Sequence, residues 1–407
     1  MKRNSQLALL CLSGALSALA GPVTTVPWNG HTGAVSFTYD DARTSQLPIL
    51  IPQLDSLKVK ATFFIASAGT GGDFEQKKSE WLKVAQKGHE LANHTRNHVN
   101  VPADPGAAAI ITDMAVYMRG LDPSIQAVTF AYPNCNVNGK TGVGGESFIA
   151  RGCGDTRYAW NTQPTDWMNL PALLLTPTSE SNGVSSLNAA KSGNTWAPML
   201  SHDVKASPDQ YSITPQTNLK LLQTAIANAL WIDTYETVGA YYRAHFAMDA
   251  ATATATAEGW TLAWTSPHPK MPKSVILRVK LSAETFGTSF TAQQGGVTLA
   301  PESDGTYLID FMKLSLTILK KTTGVKSGAI LPGMLKARAT PRGIAFDGVV
   351  GTPEAIVSDI HGRRLFRGTV TGGMVPLPGD RMDGILFLTL IDPLSGRSLR
   401  VPVGATR

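Results

Sequence analysis

Two short apolar runs constrain this chain more than any other feature. Ala34–Tyr39 and Lys60–Ile65 are rich in β-branched and aromatic residues, and the second shows no polar alternation. Between them Leu47, Leu50, Ile51 and Leu54 fall at helical spacing. A strand apolar on both faces needs a cover on both, so strand, helix and strand joined by short connections specify a parallel sheet or barrel. The alternation continues. Trp81, Leu82, Val84 and Ala85 mark a second helix stopped by Gly88, and Ala107–Gly120 reads as a third. Ala127–Tyr132 is a strand closed by Pro133, and Pro198–Asp203 is a late one. Leu219–Leu230 is an amphipathic helix, and Trp231–Tyr235 leads into a last helix, Glu236–Arg243.

The first run ends in two adjacent carboxylates, Asp40 and Asp41, at the strand end where α/β barrels carry their chemistry. His94 and His98 are four apart, a spacing that on a helical turn brings both imidazoles to one ion. Two histidines and one acid make a metal site with open positions for water, and the second acid is left free as a base. That combination belongs to hydrolases. Adjacent acids on a strand point to opposite sides, so they do not flank a glycosidic bond as a two-carboxylate glycosidase requires.

Lys2 and Arg3, the apolar stretch Leu7–Leu16 and the sequence Ala18-Leu19-Ala20 read as an export signal with a cleavage site, so the mature chain is expected to begin at Gly21. The stretch is too short for a membrane span, which takes about 20 apolar residues, and no transmembrane segment is expected elsewhere. A secreted or cell-surface bacterial protein follows. Cys11 leaves with the leader. Cys135 and Cys153 remain, and one disulfide suits an oxidising compartment.

Composition shifts at Asp249. Ala250–Ala257 alternates Ala and Thr and reads as a linker or edge strand, followed by β-patterned runs at Trp260–Trp264, Ser274–Leu281, Phe286–Ala292 and Phe311–Lys320. A second shift at Gly324–Pro332 opens a basic end. From Lys326 on, two Lys and nine Arg stand against six acids, so nearly all of the formal charge of +6 lies there. It reads as a solvated β surface, or as one attracted to acidic polysaccharide or an anionic cell envelope. Nucleic acid is not an expected partner, because the basic residues are not interleaved with aromatics.

In order and spacing, the blocks Thr38-Tyr39-Asp40-Asp41-Ala42, Gly88-His89-Glu90, His94-Thr95-Arg96-Asn97-His98, Phe130-Ala131-Tyr132-Pro133, Asp166-Trp167, Leu200-Ser201-His202 and Trp231–Tyr235 resemble the polysaccharide deacetylase family (carbohydrate esterase family 4, the NodB homology domain). The resemblance covers roughly Val35 to Arg243. It implies a distorted (β/α)7 barrel and a divalent metal, usually Zn2+ with Co2+ or Mn2+ as alternatives, held by Asp41, His94 and His98. It further implies Asp40 as general base, His202 as general acid, and Tyr132, Pro133, Asp166 and Trp167 around substrate and oxyanion. Where the family carries an arginine two residues before the proline, this chain has Ala131, and Arg151 or Arg157 is the candidate replacement.

The expected organisation is a leader (1–20), a catalytic α/β domain (21–248), a C-terminal all-β accessory region (249–325) and a basic β domain suited to sorting or attachment (326–407). The end region also weakly resembles sorting domains of exported proteins, through Val357–Leu365 and Gly384–Leu388. The expected function is a secreted, metal-dependent deacetylase of an acetylated polysaccharide, either acetylated xylan or an N-acetylglucosamine polymer. The rival is an inactive carbohydrate-binding or adhesin protein on the same barrel. His89 is expected as a structural residue, and His31, His245, His268 and His361 as surface residues. Trp81, Trp160 and Trp167 are expected in core packing, with sugar stacking as their alternative.

Overall fold

The computed structural model describes residues 21–320, 336–340, 342–347, 352–370, 373–377, 385–391 and 398–404. The leader at 1–20, Cys11, and the second composition shift at 324–332 lie outside them. The chain divides into two compact units, 1–321 and 322–407.

Seven parallel strands organise the first unit: β1 (Ala34–Asp40), β2 (Thr62–Ile65), β3 (Glu90–Asn93), β4 (Thr129–Ala131), β5 (Ile149–Arg151), β6 (Leu173–Leu174) and β7 (Thr195–Ser201). Their spatial order is β5-β4-β3-β2-β1-β7-β6, and every neighbouring pair is parallel. The ring closes through the segment after β5. Cys153 bridges Ala172, Gly154 N–H donates to Ala172 O at 3.0 Å, and Leu170 N–H to Ala150 O at 2.8 Å. This is the expected distorted (β/α)7 barrel. All seven residues of β1 are buried, as a strand covered on both faces must be.

The helices up to Asp249 are α1 (Ile51–Leu57), α2 (Lys78–Gln86), α3 (Ala107–Leu121), α4 (Lys140–Gly144), α5 (Glu180–Gly193), α6 (Pro215–Ala227) and α7 (Tyr235–Asp249). The helical spacing from Leu47 to Leu54 starts instead as a wide turn over Gln46–Leu50. Pro48 brings no N–H to that turn, while Pro52 sits harmlessly in the first turn of α1. On one side of the sheet Phe37, Tyr39, Phe63 and Ile65 pack with Leu54, Trp81, Met114 and Leu221. At the base of the barrel Glu90 ties three elements to β3. Its carboxylate accepts from Thr62 Oγ1 (2.7 Å), Thr129 Oγ1 and the N–H of Glu236 (2.9 Å). The strand that delivers His94 is thereby fixed at its start.

Beyond α7, strands Thr252–Ala255, Gly259–Ala263, Ser315–Lys320, Phe290–Gln294 and Val297–Leu299 form one antiparallel sheet. Ile276–Leu281 pairs with Tyr307–Asp310 on one side and Val23–Thr25 on the other. Leu262, Leu277, Ile309 and Ile318 share a core with Tyr235, Tyr241 and Tyr242 of α7. One expectation is corrected on this helix. His245 is not a surface residue but is 2% exposed, because Trp160 stacks on it at 3.7 Å and Tyr242 and Phe246 lie beside it. Trp81 is fully buried against Phe63 and Phe74.

The second unit has a three-stranded sheet (Lys336–Thr340, Gly343–Asp347, Met374–Pro376) and a four-stranded one (Arg364–Thr369, Glu354–Asp359, Ile385–Ile391, Ser398–Gly404), both antiparallel. Ile344, Phe346, Val357, Leu386, Leu388 and Leu390 form their common core. No helix among the described residues is long and apolar enough to cross a membrane.

Candidate active site

Five of the expected residues meet at the C-terminal ends of the barrel strands. Asp40 ends β1 and Asp41 follows it, His94 follows β3, and His202 follows β7. Asp41 Oδ1 lies 3.6 Å from His94 Nε2 and 3.5 Å from His98 Nε2, and Asp41 Oδ2 is 3.9 Å from His202 Nε2. Asp41, His94 and His98 are the one group among the described residues whose side chains could jointly hold a metal ion. Tetrahedral coordination with bonds of about 2.1 Å puts ligand atoms about 3.4 Å apart, close to these spacings. Asp41 Oδ1 is buried and has no hydrogen-bond partner, as an oxygen reserved for a cation would be. Burial pushes the His94 imidazole down to about 3, so the ring is neutral, the form that ligates. Its Nδ1 is paired with Ala131 O at 2.8 Å, which turns Nε2 toward Asp41.

The histidine pair is not on a helical turn. His94–His98 is a loop leaving β3, with Thr95 and His98 at φ of 61° and 52°. Asn93 Oδ1 accepts the Thr95 N–H at 2.9 Å, and Thr95 Oγ1 accepts the Val99 N–H at 3.1 Å. These side-chain bonds replace helical ones and still bring the two rings to 4.9 Å. Asp41 and Ala42 are also left-handed, at 77° and 51°. Backbone strain thus collects at Asp41 and His98 and at Ala42 and Thr95, which follow Asp41 and His94, and is held by the surrounding hydrogen bonds.

Asp40 is held from across the barrel. Arg151, at the end of β5, donates from an NH2 group to Asp40 Oδ2 at 2.6 Å, and both side chains are almost fully buried. Arg151 also lies over the Phe64 ring at 4.9 Å. Of the two arginines considered in place of the missing one, Arg151 makes this contact, whereas Arg157 pairs with Asp155 on the surface. Asp40 Oδ1 has no partner.

Three contributors were not foreseen, all in the turn after β1. Arg43 binds Asp41 Oδ2 through Nε (3.1 Å) and NH2 (2.8 Å), and its NH1 donates to Thr70 O. Thr70 Oγ1 donates to Asp41 O at 3.2 Å, and a Cβ at Gly72 would lie 2.1 Å from that oxygen. Arg43 therefore holds one carboxylate oxygen and leaves the other toward the histidines. Gln46 donates from Nε2 to both Asp40 O and His202 O, each at 2.8 Å, joining the ends of β1 and β7. Ser45 Oγ donates to Asp203 Oδ1 at 2.7 Å. The only sequence signal for any of them is nearness to the paired acids. Removing the guanidinium in Arg43→Met should weaken divalent-metal affinity by about 10–100-fold, as loss of a ligand's hydrogen-bond partner does elsewhere. Competition against a chromophoric chelator measures this, and an unchanged affinity would show that Arg43 does not orient Asp41.

The remaining expected residues are engaged elsewhere. The Tyr132 N–H donates to Arg151 O (3.1 Å) and its hydroxyl to Met168 O (2.8 Å), so the β4–β5 ladder leaves it no donor for an oxyanion. Pro133 is buried and opens a short turn, Pro133–Cys135. The next N–H, that of Asn134, makes no hydrogen bond among the described residues. Asp166 pairs with Lys140 and accepts the Met168 N–H at 2.9 Å. Trp167 packs on Tyr242, Phe246 and Arg243. Cys135 and Cys153 form a disulfide with Cα atoms 5.5 Å apart. His89 is buried, and its Nδ1 accepts the Ala61 N–H at 3.2 Å.

Residues 29–141 match the family model described as polysaccharide deacetylase, the family that the motifs resemble. Members of that family are hydrolases. Solved structures similar to the chain include the chitin deacetylase of the fungal pathogen Colletotrichum lindemuthianum, with 20% identity, a TM-score of 0.38, and coverage of 53% of this chain and 91% of that one. Another is a family 4 acetyl xylan esterase from Clostridium thermocellum in complex with a cobalt ion, with 19% identity, a TM-score of 0.36, and coverage of 50% and 89%. No curated protein sequence matches the chain.

Proposed function

We propose that this chain is an exported, divalent-metal-dependent hydrolase that removes acetyl groups from a polysaccharide, acetylated xylan or a polymer of N-acetylglucosamine. The observation that carries the reading is the division of labour between adjacent acids. Asp41 faces two histidines with a free oxygen, while Asp40 is tied to Arg151 and keeps its own free oxygen. The family match over 29–141 supports it, and the Cys135–Cys153 disulfide suits export.

A divalent ion on Asp41, His94 and His98 supplies Lewis acidity toward an acetyl carbonyl and, in zinc sites, lowers the pKa of water to about 7. The protein's own groups do the rest. Asp40 Oδ1 accepts the proton of the attacking water while Arg151 holds Oδ2. Arg43 keeps Asp41 from turning its second oxygen inward. The Asn134 N–H is the free donor of its turn for the developing oxyanion. His202, with Nε2 facing Asp41, gives its proton to the departing alkoxide or amine.

The test is acetate release from acetylated xylan and from chitin oligomers, assayed side by side with metal-loaded protein, chelator-treated protein and Asp40→Asn. The loaded parent should release acetate from one polymer. Chelation should abolish release, and Asp40→Asn should lower it by about 10²–10⁴-fold. A protein that binds metal yet frees no acetate from either would favour the carbohydrate-binding reading.

A further inference from the structure

Tyr211 is the only aromatic side chain among the described residues that is exposed, at 46%. It stands beside the candidate general acid. Its ring centroid is 5.5 Å from that of His202, the planes are 41° apart, and its carbonyl accepts the His202 N–H at 3.1 Å. The Asp41 carboxylate lies 3.9 Å from Nε2 of the same imidazole.

The loop that carries Tyr211 is built to hold it there. Val204 and Ile213 form a parallel bridge, with Lys205 N–H to Ile213 O and Ile213 N–H to Asp203 O both at 3.0 Å. Asp209 Oδ1 accepts the Tyr211 N–H (3.1 Å) and Ser212 Oγ (2.8 Å). Lys205 pairs with Asp209 at 2.7 Å and with Asp203 at 3.3 Å. Ser212 and Ile213, next in the chain, are fully buried. Several charge-assisted bonds thus fix a short loop that leaves an aromatic ring partly in water. A solitary exposed aromatic is ordinary on a protein surface. One that is clamped next to a reacting group, with every other described Phe, Tyr and Trp less exposed, calls for a ligand.

We propose that Tyr211 is a sugar-stacking platform, receiving the axial C–H face of a pyranose ring of the substrate while His202 and Asp41 face that sugar's acetyl group. The proposal rests on the deacetylase reading for its substrate. It also gives the stacking role to Tyr211 rather than to Trp81, Trp160 or Trp167, whose rings face core neighbours.

The test compares Tyr211→Ala and Tyr211→Phe with the parent on two substrates, an acetylated oligosaccharide that the parent cleaves and 4-nitrophenyl acetate, which has no sugar. For Tyr211→Ala the ratio of kcat/KM between oligosaccharide and aryl acetate should fall about tenfold, chiefly through KM, as loss of one stacked ring implies. Tyr211→Phe keeps the ring and should keep the ratio. A parallel loss on both substrates would mean that the loop merely positions His202, and would overturn the platform, as would an unchanged ratio. Should the parent release acetate from no oligosaccharide, the deacetylase reading falls on its own. Calorimetric binding of xylohexaose and chitohexaose then decides the platform separately, with tighter binding by the parent than by Tyr211→Ala supporting it and equal affinities refuting it.

Discussion

Arg151→Met should lower the melting temperature by about 10 °C and cut acetate release by at least about 10²-fold. The cause is the buried carboxylate left behind. Arg151 and Asp40 are 1% and 4% exposed and 2.6 Å apart, so each neutralises the other where water cannot. Breaking such a pair from one side costs about 3–5 kcal/mol, far more than losing an exposed pair. The sign of a second substitution separates charge from packing. If the uncompensated carboxylate is the cause, Arg151→Met with Asp40→Asn should melt above Arg151→Met alone, although Asp40→Asn removes the base. Its activity should be no lower than that of the worse single variant, because both act on one proton transfer. Arg151→Lys keeps the charge but not the planar fork, and should fall between parent and Arg151→Met in both assays. A parent-like melting curve and rate for Arg151→Met would remove Arg151 from the site.

The strands and the metal-ligating pattern were legible because each is a local property. A short apolar run with no polar alternation suits a strand covered on both faces, and β2 is buried at all four positions. The histidine spacing pointed to two rings that do converge on Asp41, through the wrong local structure. A four-residue separation brings imidazoles together on a helical turn, but two left-handed residues in a loop do the same. What was not legible depends on long-range geometry or turn conformation. Arg151 could be named only as one of two substitutes, since its partner lies 111 positions away. Arg43 reaches Asp41 because Asp41 and Ala42 adopt positive φ, which an Asp-Ala-Arg sequence does not announce. His245 was misread because nothing in α7 reveals that Trp160, far upstream in the chain, stacks on its ring.

His202→Ala should separate substrates by their leaving groups. With an acetylated sugar, the departing alkoxide or amine is a poor leaving group and needs a proton as the bond breaks, so the loss should be about 10²–10⁴-fold. With 4-nitrophenyl acetate the leaving phenolate is stable without one, and the loss should stay within about tenfold. The proposed role of His202 rests on one nitrogen. Nε2 faces the Asp41 carboxylate, whereas Nδ1 is buried with no partner. Among the described residues no carboxylate pairs with that Nδ1. The residue is held by its backbone instead, with its N–H on Tyr211 O, its carbonyl on Gln46 and its ring against Tyr211. Gln46→Ala should therefore reproduce part of the His202→Ala pattern, a larger loss on the sugar acetate than on the aryl acetate, because the Gln46 side chain links the strand ends that carry base and acid. Equal losses on the two substrates in His202→Ala would make His202 a binding group rather than the proton donor.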